Sequence, residues 1–541
     1  MPSPRLVLLL LAAAGLPGAP APAKPKPAPP LAALDAHVAR AMGEFGVPGM
    51  AVAVVKDGAV VLAKGYGVRR AGEPGPVDAE TLFGIASNTK AFTCAALSIL
   101  VEEGKLEWDD PVTKHLPAFQ MWDPWVTREV TVRDLVTHRA GLGLGQGDLM
   151  WWPPTTHNRA EVVRGIRWLK PASSFRSRYA YNNVMYVAAG ELLAAVSGKS
   201  WDDFVRERIL LPLGMSRSTT SVSASRENAA APHIEVGGVV RPVEPMRFDN
   251  VGPAASINSS ASDMARWVRM LLECVRGKDA PAGGTCPLKP ESIRRMWSAQ
   301  FPLATPDPPT GLEPLKANFA SYGLGFGLRD YRGRKVASHT GGLPGLVSQV
   351  ALVPEERLGV VVLTNQEETG AFEAVRYRIF DEYLGAPVPA VDWIAAFRRK
   401  AEDERKKAEE TVAKARAGRD AASRPSLPLG TYAGRYRDPW YGDATIVEED
   451  GRLVLDMTRT SGMVAALEHW QHDTFVARWR QAFMSDEAPA DAYVSFVLKP
   501  DASVERMTMA PVSPAIDFSF DYQDLVFTPV PRGGEGPASA P

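Results

Sequence analysis

The sequence has few cysteines, almost no net charge and few long apolar runs, and each shortage argues against a class of protein. Three cysteines in 541 residues are too few for a disulfide framework. The 61 basic and 62 acidic residues nearly cancel, so no bulk field draws the chain to nucleic acid or to anionic lipid. Hydrophobic residues make up 45%, which is ordinary for a globular protein.

Several signatures of catalytic and cofactor sites are also missing. The sequence contains no H-E-x-x-H and no C-x-x-C, so a metal site has little support. It has no G-x-S-x-G either, which argues against the nucleophile elbow of α/β-hydrolases. The glycine-rich segment 141–147, GLGLGQG, does not follow a strand and open a helix, so a nucleotide loop is not expected. We therefore expect no metal and no cofactor.

The first 23 residues predict an export signal. Arg5 precedes a short apolar run, Leu6 to Ala14, and small residues follow it, which is the pattern of a cleavable secretory signal. The run is too short to span a bilayer as an anchor. We expect cleavage after Ala23, a proline-rich tether over residues 24–30, and a periplasmic or secreted protein without membrane insertion.

The length of the chain predicts two or more domains, and its hydrophobic pattern predicts an α+β fold for the first, over residues 31–385. Lys56-Asp57-Gly58 joins two strand-like runs, a strong hairpin signal. Helical and loop-rich sequence follows, and strand patterns return from Tyr322 to Gln366. Strands at both ends of this segment predict one sheet built from distant parts of the chain.

The C-terminal part predicts a linker and a second domain. Residues 386–424 carry opposite charges four positions apart, which predicts a solvated linker helix. Short aromatic and β-branched runs between turns fill residues 425–531, a pattern typical of a small antiparallel β domain. The glycine- and proline-rich composition of residues 532–541 predicts a disordered tail.

The stretch GIASNTKAFTCAAL places Ser87 and Lys90 three residues apart at the start of an apolar helix. This spacing puts both side chains on one helix face. A serine is a weak nucleophile without a neighbouring base, and a buried lysine can lose its proton near neutral pH. On its own, however, the pattern is better explained by a helix cap followed by a surface lysine.

Two further motifs change this interpretation. Tyr181-Asn182-Asn183 stands directly before a helical run, and His339-Thr340-Gly341 lies in the later strand region. Serine-lysine, Tyr-x-Asn and [K/H]-T-G, in this order, resemble the penicillin-recognising serine hydrolases. That family includes class C β-lactamases, penicillin-binding carboxypeptidases, D-aminopeptidases and related esterases. The resemblance covers about Leu31 to Gly385 and implies an antiparallel sheet flanked by helices, with a mostly helical subdomain.

The resemblance implies a catalytic role for three side chains. Ser87 would be the acylated nucleophile, and Lys90 would share the general-base role. Tyr181 would take the serine proton and pass it to the leaving group, which requires a phenol pKa lowered by nearby cations. These residues and His339 must then converge in one cleft at hydrogen-bonding range.

It also implies a set of substrate-binding groups. Asn183 would bond both the lysine and the substrate amide, and the strand carrying His339 and Thr340 would lie beside the nucleophile. Gly341 would let the substrate backbone come close. The backbone N–H groups of the nucleophile and of Gly342 would form the oxyanion hole.

Position 339 limits the substrate. A lysine there would hold a substrate carboxylate, whereas histidine is mostly neutral at pH 7. Family members with histidine include D-amino-acid-specific peptidases and esterases, and some carry a lipocalin-like C-terminal domain, which residues 425–531 resemble. We therefore predict a peptide containing D-amino acids or a small ester as substrate, with a β-lactam as the runner-up.

Two hypotheses from other classes stay open. A non-catalytic sensor or binding protein could keep the fold, although intact Ser87, Lys90, Tyr181 and Asn183 argue against it. The β domain could itself be the functional ligand binder. It could also line or cover the active site, or bring subunits together as a homo-oligomer.

Three other residues receive structural predictions. His138, in LVTHRAGLG, matches a recurrent structural segment of the family and is not expected to be catalytic. Cys94 lies in the apolar helix after Ser87 and is expected to be a small buried hydrophobe. Cys274 and Cys286 flank a Gly/Pro-rich stretch, and their pairing is left open.

Overall fold

The computed structural model describes residues 31–222, 227–277, 285–386, 391–484 and 489–531, so the expected signal, tether and tail lie outside the described residues. The helices are α1 Leu34–Glu44, α2 Thr89–Glu102, α3 Val112–His115, α4 Pro124–Glu129, α5 Val132–Leu135, α6 Arg159–Gly165, α7 Val184–Ser197, α8 Trp201–Val205, α9 Gly252–Ala255, α10 Ala261–Cys274, α11 Pro290–Met296, α12 Thr369–Tyr383 and α13 Trp393–Ala417. The first twelve strands are β1 Gly49–Lys56, β2 Ala59–Gly67, β3 Phe83–Gly84, β4 His233–Val236, β5 Val239–Pro242, β6 Asn258–Ser259, β7 Phe301–Pro302, β8 Ala320–Tyr322, β9 Gly327–Tyr331, β10 Arg334–Leu343, β11 Leu346–Val353 and β12 Leu358–Thr364. The remaining strands are β13 Gly434–Asp438, β14 Gly442–Glu449, β15 Arg452–Met457, β16 Val464–Gln471, β17 Thr474–Trp479, β18 Ala492–Leu498, β19 Val504–Pro511 and β20 Val526–Pro529.

The first domain is built on an eight-stranded antiparallel sheet in the order β2-β1-β12-β11-β10-β9-β8-β7. Strand β1 pairs with β12, Met50 lying opposite Thr364, which confirms the prediction of one sheet assembled from distant parts of the chain. Asp57 and Gly58 both have positive φ, 53° and 81°, as the turn of a tight hairpin requires.

Helices cover both faces of this sheet, and strand β1, which lies between β2 and β12, is apolar on both sides. Met50, Val52 and Val54 are buried in the cluster that holds α1 and α12. The alternate residues, including Ala51 and Ala53, are buried in the cluster that holds α2 and α10, as the two-residue period of a strand dictates. The predicted α+β architecture is therefore confirmed.

Helix α13 is exposed along most of its length, as the charged pattern predicted. Lys400 pairs with Glu404 at 2.9 Å, four residues on. The start of the helix is different, because Trp393 is buried and stacks on Tyr377 of α12 with a centroid separation of 4.9 Å. The prediction of a wholly solvated helix is wrong there, since the apolar residues of WIAAF pack onto the first domain.

The second domain is a closed antiparallel barrel of β13 to β20 in sequence order. Tyr436 and Pro529 pair where β13 meets β20, and this contact closes the ring of strands. The interior is filled by buried side chains, including Tyr432, Phe475 and Phe496, whose rings contact one another. The small barrel-like domain predicted from the sequence is therefore confirmed.

The barrel docks on the segment that leads into α6. The Thr156 N–H donates to the Arg459 carbonyl at 2.9 Å. The His157 Nε2 donates to the Tyr441 carbonyl at 2.9 Å, and the Arg459 guanidinium lies 3.4 Å from a Glu161 carboxylate oxygen. This docking brings the loop between β19 and β20 against the first domain.

Cys274 and Cys286 form a disulfide with Cα atoms 5.7 Å apart, which resolves the pairing that the sequence left open. Cys94 is a free, fully buried cysteine, as predicted. No helix of the described residues is both long enough and apolar enough to cross a bilayer.

Breaking the disulfide should lower stability without touching the site. The double variant Cys274→Ser/Cys286→Ser should lose about 3 kcal/mol of unfolding free energy, because the bridge closes a twelve-residue separation in the unfolded chain. Urea unfolding followed by tryptophan fluorescence measures this difference. Cys94→Ala is the control for thiol removal, and reducing agent should lower the wild type to the double variant. Equal midpoints for wild type and double variant would contradict the expectation.

Candidate active site

Ser87 lies in a 3₁₀ turn, Ala86–Asn88, that runs directly into α2. Within the fully described run 81–100, Ser87 is the one residue that is not buried. Ala86 has a positive φ of 48°, a strained conformation for alanine. Asn88, not Ser87, occupies the N-cap position of α2, and its side chain makes no capping bond. Ser87 is therefore an accessible hydroxyl on a strained turn and not a helix cap.

The Lys90 ammonium group is fully buried and holds three oxygens. It donates to Ser87 Oγ at 2.9 Å, to Asn183 Oδ1 at 2.7 Å and to the Ala254 carbonyl of α9 at 3.1 Å. Burial lowers the pKa of Lys90 to about 7, against the opposing effect of the Asp148 charge. A lysine with this pKa is neutral in a substantial fraction of molecules at neutral pH, so it can accept the serine proton.

Tyr181 lies against both of these residues. Its ring centroid is 4.7 Å from Lys90 Nζ, and its hydroxyl shares a hydrogen bond with Ser87. Burial raises the pKa of Tyr181 well above its usual value. The expectation that nearby cations lower this pKa is therefore wrong, because desolvation of the buried phenolate outweighs the hydrogen bond with Ser87, and the charges of Tyr179 and Asp148 add to the rise. Tyr181 is a neutral phenol that can relay a proton but does not rest as a phenolate.

Asn183 connects the lysine to a carboxyl group that the sequence did not reveal. Asn183 is the N-cap residue of α7 but makes no capping bond, so its amide is free to accept from Lys90 and to donate to Asp148 Oδ2 at 2.7 Å. Asp148 is fully buried, and its Oδ1 accepts from the Trp151 indole at 2.9 Å. Burial raises the pKa of Asp148 to about 7. The aspartate lies directly after the glycine-rich segment 141–147. Its position before the apolar run LMWW was the sequence signal that could have indicated a buried carboxyl group.

His339 lies at the edge of this group, on β10. Its ring centroid is 6.1 Å from that of Tyr181. Nδ1 donates to the Thr340 carbonyl at 2.6 Å, so Nε2 is the acceptor for the Tyr322 hydroxyl at 3.1 Å. Burial lowers the pKa of His339 to about 3, with a further contribution from the Lys90 charge. His339 is thus neutral and lies beside Tyr181. Its hydrogen bonds in the described structure go to Tyr322 and the Thr340 carbonyl, so the expectation of hydrogen-bonding range to the catalytic group is not met for His339.

The glycines of β10 differ in what surrounds them. A Cβ on Gly341 would lie 2.2 Å from the Ile85 carbonyl and 2.9 Å from the Ala86 Cβ. The close approach therefore involves the nucleophile turn itself, whereas the sequence-based expectation assigned it to the substrate. Gly342 has open space around its Cβ position, and the Thr340 side chain is exposed. The oxyanion role of the Ser87 and Gly342 N–H groups stays a prediction.

His138 packs against the Tyr-x-Asn motif. Its Nδ1 accepts from the Asn182 N–H at 3.0 Å, between the two functional residues of the Tyr-x-Asn motif. Its ring lies 4.3 Å from the Tyr181 ring and 4.7 Å from the Tyr322 ring. Burial keeps the pKa of His138 well below its usual value. These contacts fit the structural role expected from the sequence.

The second domain also contacts this group of residues. The Phe518 ring, from the β19–β20 loop, makes an edge contact with Tyr181 at a centroid separation of 5.9 Å. Its backbone carbonyl lies 2.5 Å from the position that a Cβ on Gly145 would take, so a glycine is needed there for the loop to approach. Among the alternatives left open for the second domain, the geometry agrees with lining of the active site.

The arrangement joins an accessible hydroxyl, a buried amine of lowered pKa and a phenol, which together can form and resolve an acyl-enzyme. In the described part of the chain, no group of three or more His, Cys, Asp or Glu side chains is placed to hold a metal ion.

Comparisons with known proteins agree with this geometry. The family model described as Beta-lactamase matches residues 34–384, and a domain of unknown function, DUF3471, matches residues 418–529. The unguisins hydrolase of Aspergillus campestris is 30% identical over 442 residues, covering 77% of this chain and 78% of that protein. Penicillin-binding protein 4 of Amycolatopsis lactamdurans is 28% identical over 365 residues, covering 64% of this chain and 89% of that protein.

A solved structure extends the likeness to both domains. The octameric penicillin-binding protein homologue from Pyrococcus abyssi matches with a TM-score of 0.57 at 23% identity, covering 88% of this chain and 97% of that chain. This likeness shows the shared fold. With a family match over most of the first domain, and with a hydrogen-bonded serine-lysine pair within it, the chain belongs to the Beta-lactamase family of serine hydrolases.

Proposed function

We propose that this protein hydrolyses an amide or ester through an acyl-enzyme on Ser87. The observation that carries the proposal is the 2.9 Å hydrogen bond between Lys90 Nζ and Ser87 Oγ, made by a fully buried lysine whose pKa lies at about 7. A binding protein that had lost catalysis has no need of a fully buried base beside an accessible serine, since burying an amine is costly.

The substrate class that we propose is a peptide containing D-amino acids or a small ester. His339 supports this choice, because it is neutral at the position where a lysine would hold a substrate carboxylate. Hydrolysis of unguisins by a relative that matches 77% of this chain gives further support for a hydrolase. A β-lactam is the second candidate, favoured by the shared motifs and by the relative named penicillin-binding protein 4.

Intact mass spectrometry after incubation with a fluorophosphonate tests the proposal. The wild type should gain one adduct, and Ser87→Ala should gain none. Ser98→Ala is the matched control, because Ser98 lies on the same helix but is buried and donates to the Cys94 carbonyl. It should label like the wild type. A well-folded wild type without an adduct would contradict the proposal. D-peptides, p-nitrophenyl esters and nitrocefin should then be compared as substrates.

A lysine at position 339 should change the preference for a substrate carboxylate. His339→Lys should raise the kcat/KM ratio of an N-acyl D-alanyl-D-alanine to its C-terminal amide by about tenfold, because a charge-assisted hydrogen bond is gained for the acid alone. His339→Gln, which adds no charge, should leave the ratio unchanged. A ratio that does not rise in the lysine variant would show that the substrate carboxylate does not reach this strand.

We also propose that the protein works outside the cytoplasm. The signal pattern around Arg5 and the Cys274–Cys286 disulfide support this, because disulfides persist in oxidising compartments. N-terminal sequencing of the protein from the periplasm or the medium should begin at Lys24. Recovery of the uncleaved chain in the cytosol alone would contradict export.

A further inference from the structure

The loop between β19 and β20 makes polar contacts with the segment that holds Asp148. The Gly147 N–H donates to Asp521 Oδ2 at 2.5 Å, and the Ser519 hydroxyl donates to Asp148 Oδ2 at 3.0 Å. Both Ser519 and Asp521 are buried. The second domain therefore contacts the end of the glycine-rich segment 141–147, for which the sequence suggested no function, and the adjacent Asp148.

These contacts complete a hydrogen-bonded chain from the barrel to the nucleophile. Ser519 donates to Asp148, which accepts from Asn183, whose amide oxygen accepts from Lys90, which donates to Ser87. Each member of this chain except Ser87 is buried. Losing the hydrogen bond from Ser519 therefore alters the charge interaction between Asp148 and Lys90 in a medium of low dielectric, where such interactions are strong.

We propose that Ser519, in the second domain, is a positioning residue that acts on the base Lys90 through Asp148 and Asn183. The proposal rests on the function proposed above. The hydroxyl donates to a carboxylate oxygen, which favours the ionised form of Asp148. The ionised carboxylate in turn favours the charged form of Lys90, and the amide of Asn183 holds the two groups at a fixed separation. The barrel thus helps to set the pH range in which the lysine is a base.

The sign of the effect follows from these couplings. Without the Ser519 hydroxyl, the pKa of Asp148 rises from about 7, and its carboxyl is neutral over more of the range in which Lys90 titrates. The pKa of Lys90 then falls below about 7, so its neutral, basic form is present at lower pH. The other titratable groups near this chain, taken from every element around it, are Cys94, His138, Tyr181, Tyr186, His339, Asp517, Asp521 and Asp524.

Most of these groups are uncharged around neutral pH and do not oppose the effect. Burial raises the pKa of Asp521 to about 10, with a hydrogen bond to Asp524 adding to it. Burial raises the pKa of Cys94 to about 12 and keeps His339 neutral. The Ser519 hydroxyl and N–H also favour the ionised form of Asp517, so losing the hydroxyl raises the pKa of Asp517 as well and acts on Lys90 in the same direction.

The test is the rate of Ser87 labelling by the fluorophosphonate from about pH 5 to about pH 9, followed by intact mass in the full-length chain. The wild-type rate should be half-maximal near pH 7. Ser519→Ala should shift this midpoint down by about half a pH unit, and lower the plateau about threefold because the lysine is a weaker base. Ser519→Thr, which keeps a hydroxyl, should restore the wild-type profile.

Ser513→Ala is the matched control. Ser513 is a buried serine of the same loop, but its hydroxyl accepts from the Ala515 N–H at 3.2 Å, so its profile should match the wild type. A wild type that is not labelled at Ser87 overturns the proposed function, and this inference with it. A labelled wild type with an unshifted Ser519→Ala profile overturns this inference alone.

Discussion

Replacing Lys90 with methionine should lower kcat/KM by about 10³-fold, because the general base is lost. Methionine has a similar length but no atom that can accept the proton of Ser87. The change should cost about 2 kcal/mol of stability, because Asn183 Oδ1 and the Ala254 carbonyl lose the donor that they share, but the fold should survive it. The comparison is made by steady-state kinetics on the best substrate found, with circular dichroism to check that the thermal midpoint stays within about 5 °C.

Lys90→Arg separates the base from the charge. Arginine keeps a cation near Ser87 but stays protonated at any working pH, so it should be as inactive as the methionine variant. An arginine variant that keeps more than about a tenth of wild-type activity would show that the site needs a positive charge instead of a base.

The same lysine predicts the pH dependence. Burial places the pKa of Lys90 at about 7, and the base works in its neutral form. The kcat/KM value should therefore rise with pH through about 7 and level off above it. This rise of kcat/KM with pH should disappear in Lys90→Met, because the variant has no lysine to titrate at this position. A wild-type limb centred near the ordinary carboxyl range would contradict the assignment.

The contact between Ser87 and Lys90 could be predicted from sequence because it is local, although its interpretation as a nucleophile and a base needed the order of the other motifs. A three-residue spacing fixes Ser87 and Lys90 on one face whatever the rest of the fold does. The order of the motifs singled out Tyr181, Asn183 and His339. The structure places all three near Lys90. The hairpin at Asp57-Gly58 was equally local, since the turn is dictated by two residues that adopt positive φ.

What could not be predicted depends on contacts between distant segments. Ser519 lies 371 positions from Asp148, and no local pattern marks a serine in a loop as the partner of a buried carboxylate. The predicted direction of the Tyr181 pKa shift was wrong for a related reason. Sequence motifs placed a cation beside it, but not the full burial that makes the phenolate costly.

The position of Gly341 shows the same division between local and long-range information. The sequence marked a glycine in a strand near the nucleophile, which predicts a close approach. Only the fold identifies the neighbour, the Ile85 carbonyl that precedes the nucleophile turn. Ser348, on the adjacent strand β11, donates to that carbonyl at 2.8 Å and holds it in place.

Gly341→Ala should therefore lower kcat by about 10²-fold and destabilise the protein by about 2 kcal/mol. The new Cβ would stand 2.2 Å from the Ile85 carbonyl and 2.7 Å from Ser348 Oγ, so the backbone before Ser87 must move. A displacement of this size takes the Ser87 hydroxyl out of line with Lys90. Stopped-flow acylation and thermal unfolding measure the two effects.

Gly327→Ala is the matched control, because Gly327 lies on β9 opposite Ser338 of β10 and a Cβ there meets its nearest neighbour at an ordinary 3.5 Å. It should keep near-wild-type kcat. The separation of kcat from KM decides between the two roles of Gly341. Loss of kcat with an unchanged KM follows if the glycine makes room for the nucleophile turn, since ground-state binding is then untouched. A raised KM with kcat retained would instead mean that the glycine makes room for the substrate backbone.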